Sequence, residues 1–307
     1  MSALTVSKDE EKRLKGQGFL NNRGTDEFSA RVITVNGKVT AAQHRCMAEA
    51  AEKFGNGNLT YTTRLSVEIQ GIPYEKIEEF QEYIAKEGLE TGGTGAKVRP
   101  VVSCKGTTCQ YGLLDSYAIS EEIFRRFYKG YRQVALPHKF KIAVGGCPNN
   151  CVKPNLNDVG IIGQRIPRFD SEACKGCKKC AIEAACPNKV AKVVDGKLHI
   201  DEELCRHCGR CVGKCPFHSI PDGTYGFKIY IGGRWGKKIS HGKALNRIFT
   251  SEEEALDVIE KAILLFKDQG LKGERFAETI ERIGFENAEK QLLEKNLLER
   301  KMEILSK

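Results

Sequence analysis

Hydrophobic and polar positions along the first part of the chain alternate with two different periods, which predicts strands and helices in turn. Residues 28–35 alternate in the manner of a strand, and the Asn36-Gly37 dipeptide that follows is typical of a turn. Between residues 40 and 54 the apolar positions recur at helical spacing. Residues 59–70 predict either a strand pair or one long strand, and a second helix is expected after them. This order predicts an α+β, ferredoxin-like layer.

The pattern outside this layer divides the rest of the chain. Residues 1–25 are polar and are predicted to form an arm. An α/β pattern begins again near residue 98 and returns after residue 225, and a cysteine-rich stretch interrupts it. The stretch from Ser251 predicts charged helices whose apolar stripe serves packing. We therefore expect three domains, namely a ferredoxin-like half-domain at 1–95, a second α/β domain formed by 96–169 and 221–307, and a module at 170–220 inserted into it.

Composition and charge exclude several classes of protein. The chain has 307 residues, 40% of them hydrophobic, which suffices for two or three domains. We find no stretch near the roughly 18 apolar residues of a membrane helix and no apolar signal segment, so we expect a cytoplasmic protein without a membrane partner. The net charge of +9 suits an anionic substrate, an anionic cofactor or an acidic electron donor. No recognition motif or long Lys/Arg tract indicates nucleic acid.

Twelve of the 13 cysteines fall into three groups of four. In a reducing compartment, clustered C-x2-C pairs favour metal over disulfides. Four thiolates hold one [4Fe–4S] cube, so the spacing predicts three cubes and a role in electron transfer. The remaining cysteine, Cys46, lies on the apolar stripe of a helix and is predicted to belong to the core. The three groups are Cys104, Cys109, Cys147 and Cys151; Cys174, Cys177, Cys180 and Cys186; and Cys205, Cys208, Cys211 and Cys215.

The second and third groups have the spacing of a two-cluster ferredoxin. In such proteins the fourth cysteine of a run, which precedes a proline, binds the other cluster. We therefore assign Cys174, Cys177, Cys180 and Cys215 to one cluster, and Cys205, Cys208, Cys211 and Cys186 to the other. Zinc, the alternative metal, usually takes two separated C-x2-C pairs. A structural cluster without a redox role stays open as an alternative.

The first group is split along the chain, and it resembles the cysteine motif of the sulfite and nitrite reductases that carry sirohaem. Cys104-Lys-Gly-Thr-Thr-Cys109 and Gly145-Gly-Cys147-Pro-Asn-Asn-Cys151 carry this resemblance, although the first pair in the family is commonly separated by five residues and here by four. The resemblance implies a cube coupled to sirohaem, with Cys151 as the bridging thiolate, in the second α/β domain. The inserted ferredoxin module is typical of the anaerobic and dissimilatory-type subunits of that family.

The same resemblance implies site residues outside the cysteines. Sirohaem is a polycarboxylate, and by match its contacts are Thr62, Arg64 and Asn149. Sulfite is a small dianion that needs cations and proton donors, and by match its cage is Arg31, Arg99, Lys139 and Lys141. The two lysines are two residues apart, so on a strand they share one face. The family often has glutamine where this chain has Leu65.

Together these features predict a sulfite reductase that reduces sulfite to sulfide with six electrons, with sirohaem and three [4Fe–4S] clusters as cofactors. Two alternatives stay open: reduction of nitrite to ammonia, and a non-catalytic electron-transfer subunit. No Gly-x-Gly-x-x-Gly stretch indicates a flavin or nicotinamide, so we expect a separate donor protein. Many family members carry this unit twice in one chain, whereas this chain carries it once. We therefore expect a homo-oligomer, at least a dimer, with cage residues supplied across the interface, or else a related subunit as partner.

Overall fold

The computed structural model describes residues 6–307 of the chain. The strands are β1 (Phe19–Asn21), β2 (Glu27–Val32), β3 (Leu59–Tyr61), β4 (Val67–Pro73), β5 (Val102–Ser103), β6 (Ile142–Gly145), β7 (Val159–Pro167), β8 (Ala191–Val194), β9 (Lys197–Ile200), β10 (Gly223–Ile231) and β11 (Lys243–Phe249). The α-helices are α1 (Lys8–Gly16), α2 (Ala41–Phe54), α3 (Ile77–Ala85), α4 (Ser116–Ile123), α5 (Ala181–Ala185), α6 (Glu252–Gln269), α7 (Phe276–Ile283), α8 (Phe285–Leu293), α9 (Asn296–Glu299) and α10 (Lys301–Ser306). A π-helical segment, Phe124–Lys129, continues α4.

The chain divides into two compact units. The first contains the residues up to Ser103 together with Ser120–Ala143 and Glu260–Lys307, and the second contains Cys104–Ile119 and Val144–Ile259. The domain boundaries given above from the sequence stay a prediction. A five-stranded sheet has the order β11-β10-β7-β6-β5, and the chain passes from one unit to the other at β5 and within β6.

The N-terminal part of the first unit is a four-stranded antiparallel sheet with the order β1-β2-β4-β3. Its strands alternate between buried and half-buried side chains, and Phe28 and Ile69 are fully buried in the core that α2 and α3 share. Thr40 begins α2 through a capping box with Gln43. Cys46 is buried in this core, as predicted. The predicted α+β class with a ferredoxin-like half-domain is confirmed.

The prediction of a polar arm before residue 25 is wrong for the part that the structure describes, whereas residues 1–5 lie outside it. Residues 8–16 form α1, and residues 19–21 form β1 at the edge of the sheet, paired with β2. Leu14 and Phe19 are buried in the same core as Phe28. The α1 helix is mostly polar and β1 is only three residues long, so neither element has enough apolar positions to show a period.

The C-terminal part of the first unit packs around one aromatic cluster. The rings of Phe140, Phe266 and Phe276 have centroids 5.2–5.8 Å apart, and all three are fully buried. Because Phe140 points into this cluster, its neighbours in sequence, Lys139 and Lys141, point away from it. The cluster therefore orients both lysines.

In the second unit, β10 pairs with β7 along its whole length, from Gly223 opposite Pro167 to Ile231 opposite Val159. The cysteine-rich module leaves the sheet after Pro167 and returns at Gly223, so its two ends are strand partners. The module contains α5 and the hairpin β8–β9, and its own core includes Ile182 and Leu198. Five of its cysteines are partly buried and pack against that core.

Candidate functional site

A cavity of about 330 Å³ in the first unit brings together six of the predicted site residues. Four segments contribute these side chains. They are β2 with Arg31, the turn between β3 and β4 with residues 62–66, and the two segments that lead into β5 and into β6. The predicted residues that line the cavity are Arg31, Thr62, Arg64, Arg99, Lys139 and Lys141. Asn149 and Cys151 belong to the second unit.

Arg31 is held by an acidic residue that sequence reasoning missed. Its Nη2 lies 2.5 Å and its Nε 2.9 Å from Oε1 of Glu68. Glu68 lies opposite Arg31 in the register of β2 and β4, which is a favourable place for an opposite charge. A correct pairing of the two strands could have revealed the contact. Glu68 lowers the net positive charge beside the cavity by one.

Arg99 is largely buried beside the cavity. Burial and, after it, the positive charge of Arg31 lower the pKa of Arg99 to about 10, so that the guanidinium stays charged at neutral pH. It donates a hydrogen bond to the carbonyl of Gly93, but its buried Nε has no hydrogen-bond partner. A buried charge with an unused donor fits an anion, which would supply the missing acceptor.

Arg64 connects the β3–β4 turn to the chain ahead of β5 and β6. Its Nη2 donates to the carbonyl of Pro100 at 2.6 Å and to that of Ile142 at 3.3 Å. Within the turn, Thr62 Oγ1 shares a hydrogen bond of 2.7 Å with the hydroxyl of Ser66. Leu65 adopts a left-handed backbone conformation with φ of 61°, which a leucine rarely takes. A tight, strained turn thus places Thr62 and Arg64 at the cavity.

The lysine pair lies where alternation predicted. Lys139 and Lys141 line the same cavity, on either side of the buried Phe140. The next residue toward the N-terminus, His138, accepts a hydrogen bond from the backbone N–H of Lys139 at 2.7 Å. Burial, followed by the charges of Arg275 and Lys139, lowers the pKa of His138, so its imidazole is neutral at pH 7.

The split cysteine quartet lies in the second unit, in two loops that approach closely. Burial raises the pKa of the Cys147 thiol, the backbone N–H of Asn149 lowers it, and the charges of Cys104, Cys151 and Cys109 raise it further. A Cβ on Gly106 would lie 2.8 Å from the Cα of Gly146, so these two glycines permit the approach. The Gly146 N–H also points at the sulfur of Cys104 at 3.1 Å.

One cysteine of the second run affects a thiol of the third group. Burial raises the pKa of Cys211 to about 11, and the charges of Cys205, Cys208 and Cys186 add to the shift. The interlaced assignment of the two groups stays a prediction. In the other quartet Cys174, Cys180 and Cys215 pack against the core of the module.

The two Cys-Pro turns have matching geometry, which supports an internal repeat in the module. Lys189 and His218, each three residues after the cysteine, are left-handed, with φ of 54° and 58°. Burial opposes ionisation of Cys186, but backbone N–H groups of residues 188–191 point at its sulfur and lower its pKa overall. The pKa of Cys215 is also lowered, since the hydroxyl and N–H groups of residues 217–219 outweigh its burial. Such N–H groups stabilise thiolates, the form that binds iron.

Two features are absent from the described residues. Within residues 6–307, no helix is both long and apolar enough to cross a membrane. In the same part of the chain, no three His, Cys, Asp or Glu side chains converge as they would on a single metal ion.

The chain is similar to known proteins in both its sequence and its structure. Residues 94–301 match the family described as "Nitrite and sulphite reductase 4Fe-4S domain", and residues 21–87 match "Nitrite/Sulfite reductase ferredoxin-like half domain". The F420-dependent sulfite reductase of Methanocaldococcus jannaschii is 29% identical over 77% of this chain, but the aligned part is only 37% of that relative.

Two further similarities agree with this match. The beta subunit of the dissimilatory-type sulfite reductase of Nitratidesulfovibrio vulgaris is 27% identical over 79% of this chain and 71% of its own length. The crystal structure of dissimilatory sulfite reductase I superposes with a TM-score of 0.69 at 23% identity, covering 87% of this chain and 69% of that one. The chain therefore belongs to the nitrite and sulphite reductase family, of which it has both the ferredoxin-like half domain and the 4Fe-4S domain.

Proposed function

We propose that this protein reduces sulfite to sulfide with six electrons, at a sirohaem coupled to the [4Fe–4S] cluster of the split cysteine quartet. The observation that carries the proposal is the cavity in which Arg31, Arg64, Arg99, Lys139 and Lys141 converge. Like charges that share one cavity repel one another, and a bound anion would offset that repulsion. The relatives named sulfite reductases support sulfite as that anion.

Each implied cofactor has a residue set that fits it. Cys104, Cys109, Cys147 and Cys151 would hold the coupled cube, with Cys151 as the bridging thiolate, and the two interlaced quartets would hold the ferredoxin-type cubes. Thr62, Arg64 and Asn149 would contact the carboxylates of the sirohaem. When bound, these groups would relay electrons from the donor protein and would provide an iron at which the anion is reduced.

The residues of the cage act on the anion and on protons. Arg99 is fixed by the carbonyl of Gly93 and by burial, so it serves as a permanent cation with a donor to spare. Lys139 and Lys141 carry ammonium groups that can give up a proton as each oxygen leaves as water. Arg31 shares its guanidinium between Glu68 and the cavity, so its hold on the anion depends on that carboxylate.

The proposal includes an assembly and a location. We expect a homo-oligomer, at least a dimer, in the cytoplasm, with cage residues of one chain completing the site of another and a separate protein as electron donor. Mixing a Cys151→Ser chain with a Lys139→Ala/Lys141→Ala chain tests the shared site. If the cage and the cluster come from different chains, we expect each variant alone to be inactive. The mixture should then regain about a quarter to a half of the wild-type activity. A fully active monomer by light scattering would contradict it.

Anaerobic turnover with a reduced viologen dye tests the function. We expect complete conversion of sulfite to sulfide, preferred over formation of ammonia from nitrite. Ammonia as the sole product would move the assignment to nitrite, a substrate named for other members of the family. Neither product, in protein that carries sirohaem, would make the chain an electron-transfer subunit.

A further inference from the structure

In the second unit, the loop that carries Cys208 faces the loops of the split quartet across a cavity of about 320 Å³. Residues 110–113 and 147–149 line one side of this cavity, and Cys208, Gly209 and Arg210 line the other. Cysteines of two different quartets, Cys147 and Cys208, thus open onto the same space. A second cavity of about 410 Å³ is also lined from both sets of loops, by Pro148 and by Cys205.

Backbone contacts fix the Cys208 loop to the sheet. The N–H of Arg165, in β7, donates to the carbonyl of His207 at 2.7 Å, and Arg165 and Cys208 form an isolated parallel bridge. Gly209 is left-handed, and a Cβ there would lie 2.8 Å from the side chain of Arg165. The loop therefore leaves no room for a side chain between itself and β7.

One side-chain contact joins this loop to the split quartet. The guanidinium carbon of Arg210 lies 5.0 Å from the ring centroid of Tyr111, a cation–π geometry. Tyr111 follows Cys109 by two residues, and its loop is held by the hydrogen bond from Leu113 N–H to the carbonyl of Gly146 at 2.8 Å. The Arg210–Tyr111 pair thus connects the loop after Cys109 with the loop between Cys208 and Cys211.

We infer that Arg210 and Tyr111 are positioning residues that hold the Cys205–Cys208–Cys211–Cys186 quartet against the split quartet. This makes it the proximal one of the two ferredoxin-type quartets. The quartet of Cys174, Cys177, Cys180 and Cys215 is then the distal one, at which an external one-electron donor would deliver electrons. The inference deepens the proposed function, because it rests on the cysteine quartets binding clusters.

The test is EPR spectroscopy of the protein reduced with titanium(III) citrate, which releases no sulfite. Reduced cubes that lie close together split and broaden each other's signals, and this magnetic interaction falls steeply with distance. Tyr111→Phe keeps the ring, Tyr111→Ala removes the ring but leaves the charge, and Arg210→Gln removes the charge. Tyr74→Ala and Arg125→Gln are matched controls, since both residues lie on the surface of the first unit.

We expect Tyr111→Phe and both controls to keep the wild-type splitting, and Tyr111→Ala and Arg210→Gln to lose at least about half of it. Freeze-quench mixing with one equivalent of reductant should show slower arrival of the electron at the coupled centre in the same two variants. A redox titration separates the two effects, because loss of the Arg210 charge lowers the potential of the nearest cube and loss of the Tyr111 ring does not.

Spectra and transfer rates of Tyr111→Ala and Arg210→Gln that superpose on the wild type would overturn the inference. Iron analysis and sulfide turnover of the wild type are measured alongside. Wild-type protein with three interacting cubes but no sulfide production would refute the proposed function and leave the positioning role standing. Wild-type protein without iron in these quartets would overturn both.

Discussion

The guanidinium of Arg31 pairs with the carboxylate of Glu68 at 2.5 Å, so one cation of the cavity is already bound to an acid within the protein. Both side chains are about one-fifth exposed, and they lie on facing positions of β2 and β4. A pair so placed weakens the attraction of the cavity for anions, because Glu68 both neutralises charge and occupies donors of Arg31. Glu68 is therefore expected to limit how strongly the cavity binds an anion.

Replacing Glu68 with glutamine tests this expectation. We expect Glu68→Gln to lower the KM for sulfite roughly threefold to tenfold, a change of about 0.7–1.4 kcal/mol, because Arg31 regains its donors. The measurement is the KM at constant ionic strength. Glu90→Gln is the matched control, since Glu90 pairs with Arg132, which does not line the cavity. An unchanged or raised KM in Glu68→Gln would show that Arg31 does not act on the anion.

The lysine pair should act on turnover rather than on cofactor content. We expect the Lys139→Ala/Lys141→Ala double variant to lose at least about a hundredfold in kcat, the range for removal of proton donors. The optical spectrum of the sirohaem should not change. Lys38→Ala, which removes an exposed lysine that pairs with Glu121, serves as the control. Unchanged turnover in the double variant would favour the electron-carrier alternative.

Much of the fold was predictable because its signals are local. The α2 helix follows its N-cap Thr40 and ends at Phe54, as its apolar spacing indicated, and β3 and β4 are the strand pair that residues 59–70 allowed. The elements α1 and β1 were missed because each has too few apolar side chains to form an apolar face by itself. They are buried only by packing with β2 and the core beneath it. Periodicity cannot detect an element that contributes one buried side chain.

The same distinction between local and tertiary signals applies to the functional site. The spacing of the cysteines predicted the quartets, and the resemblance to the sirohaem reductases predicted the cations of the cavity. The acid that holds Arg31, the strained Leu65 turn and the contact between Arg210 and Tyr111 depend on register and loop packing. Those relationships bring together residues that are far apart in sequence, so they required coordinates.

Cys151 should be required for the coupled centre alone. We expect Cys151→Ser to remove the sirohaem coupled to the cube while the ferredoxin-type cubes remain, because their cysteines lie in the separate module. Iron and sirohaem content together with the optical spectrum measure this. Cys46→Ala, in the core of the half-domain, is the control and should keep every cofactor. Retained sulfite reduction by Cys151→Ser would contradict its role as bridging thiolate.

The buried charge of Arg99 should cost stability when no anion is bound. Its pKa is lowered to about 10, first by burial and then by the charge of Arg31, which corresponds to about 3 kcal/mol at most. Below pH 10 the guanidinium is charged in both the folded and the unfolded state, so this cost is fully present and constant from pH 6 to pH 9. It falls only as the pH rises above about 10.

We therefore expect Arg99→Met to raise the free energy of unfolding by about 1–2 kcal/mol in sulfite-free protein, after loss of the hydrogen bond to Gly93 is subtracted. Sulfite reduction should be lost in the same variant. Urea unfolding at pH 6, 7.5 and 9 measures the difference, which should be equal at the three pH values. Arg125→Met, on the exposed surface, should change stability by less than about 0.5 kcal/mol. If Arg99→Met instead destabilised the protein, other groups in the folded chain would already compensate the charge of Arg99. The cavity would then not need an anion to offset that charge.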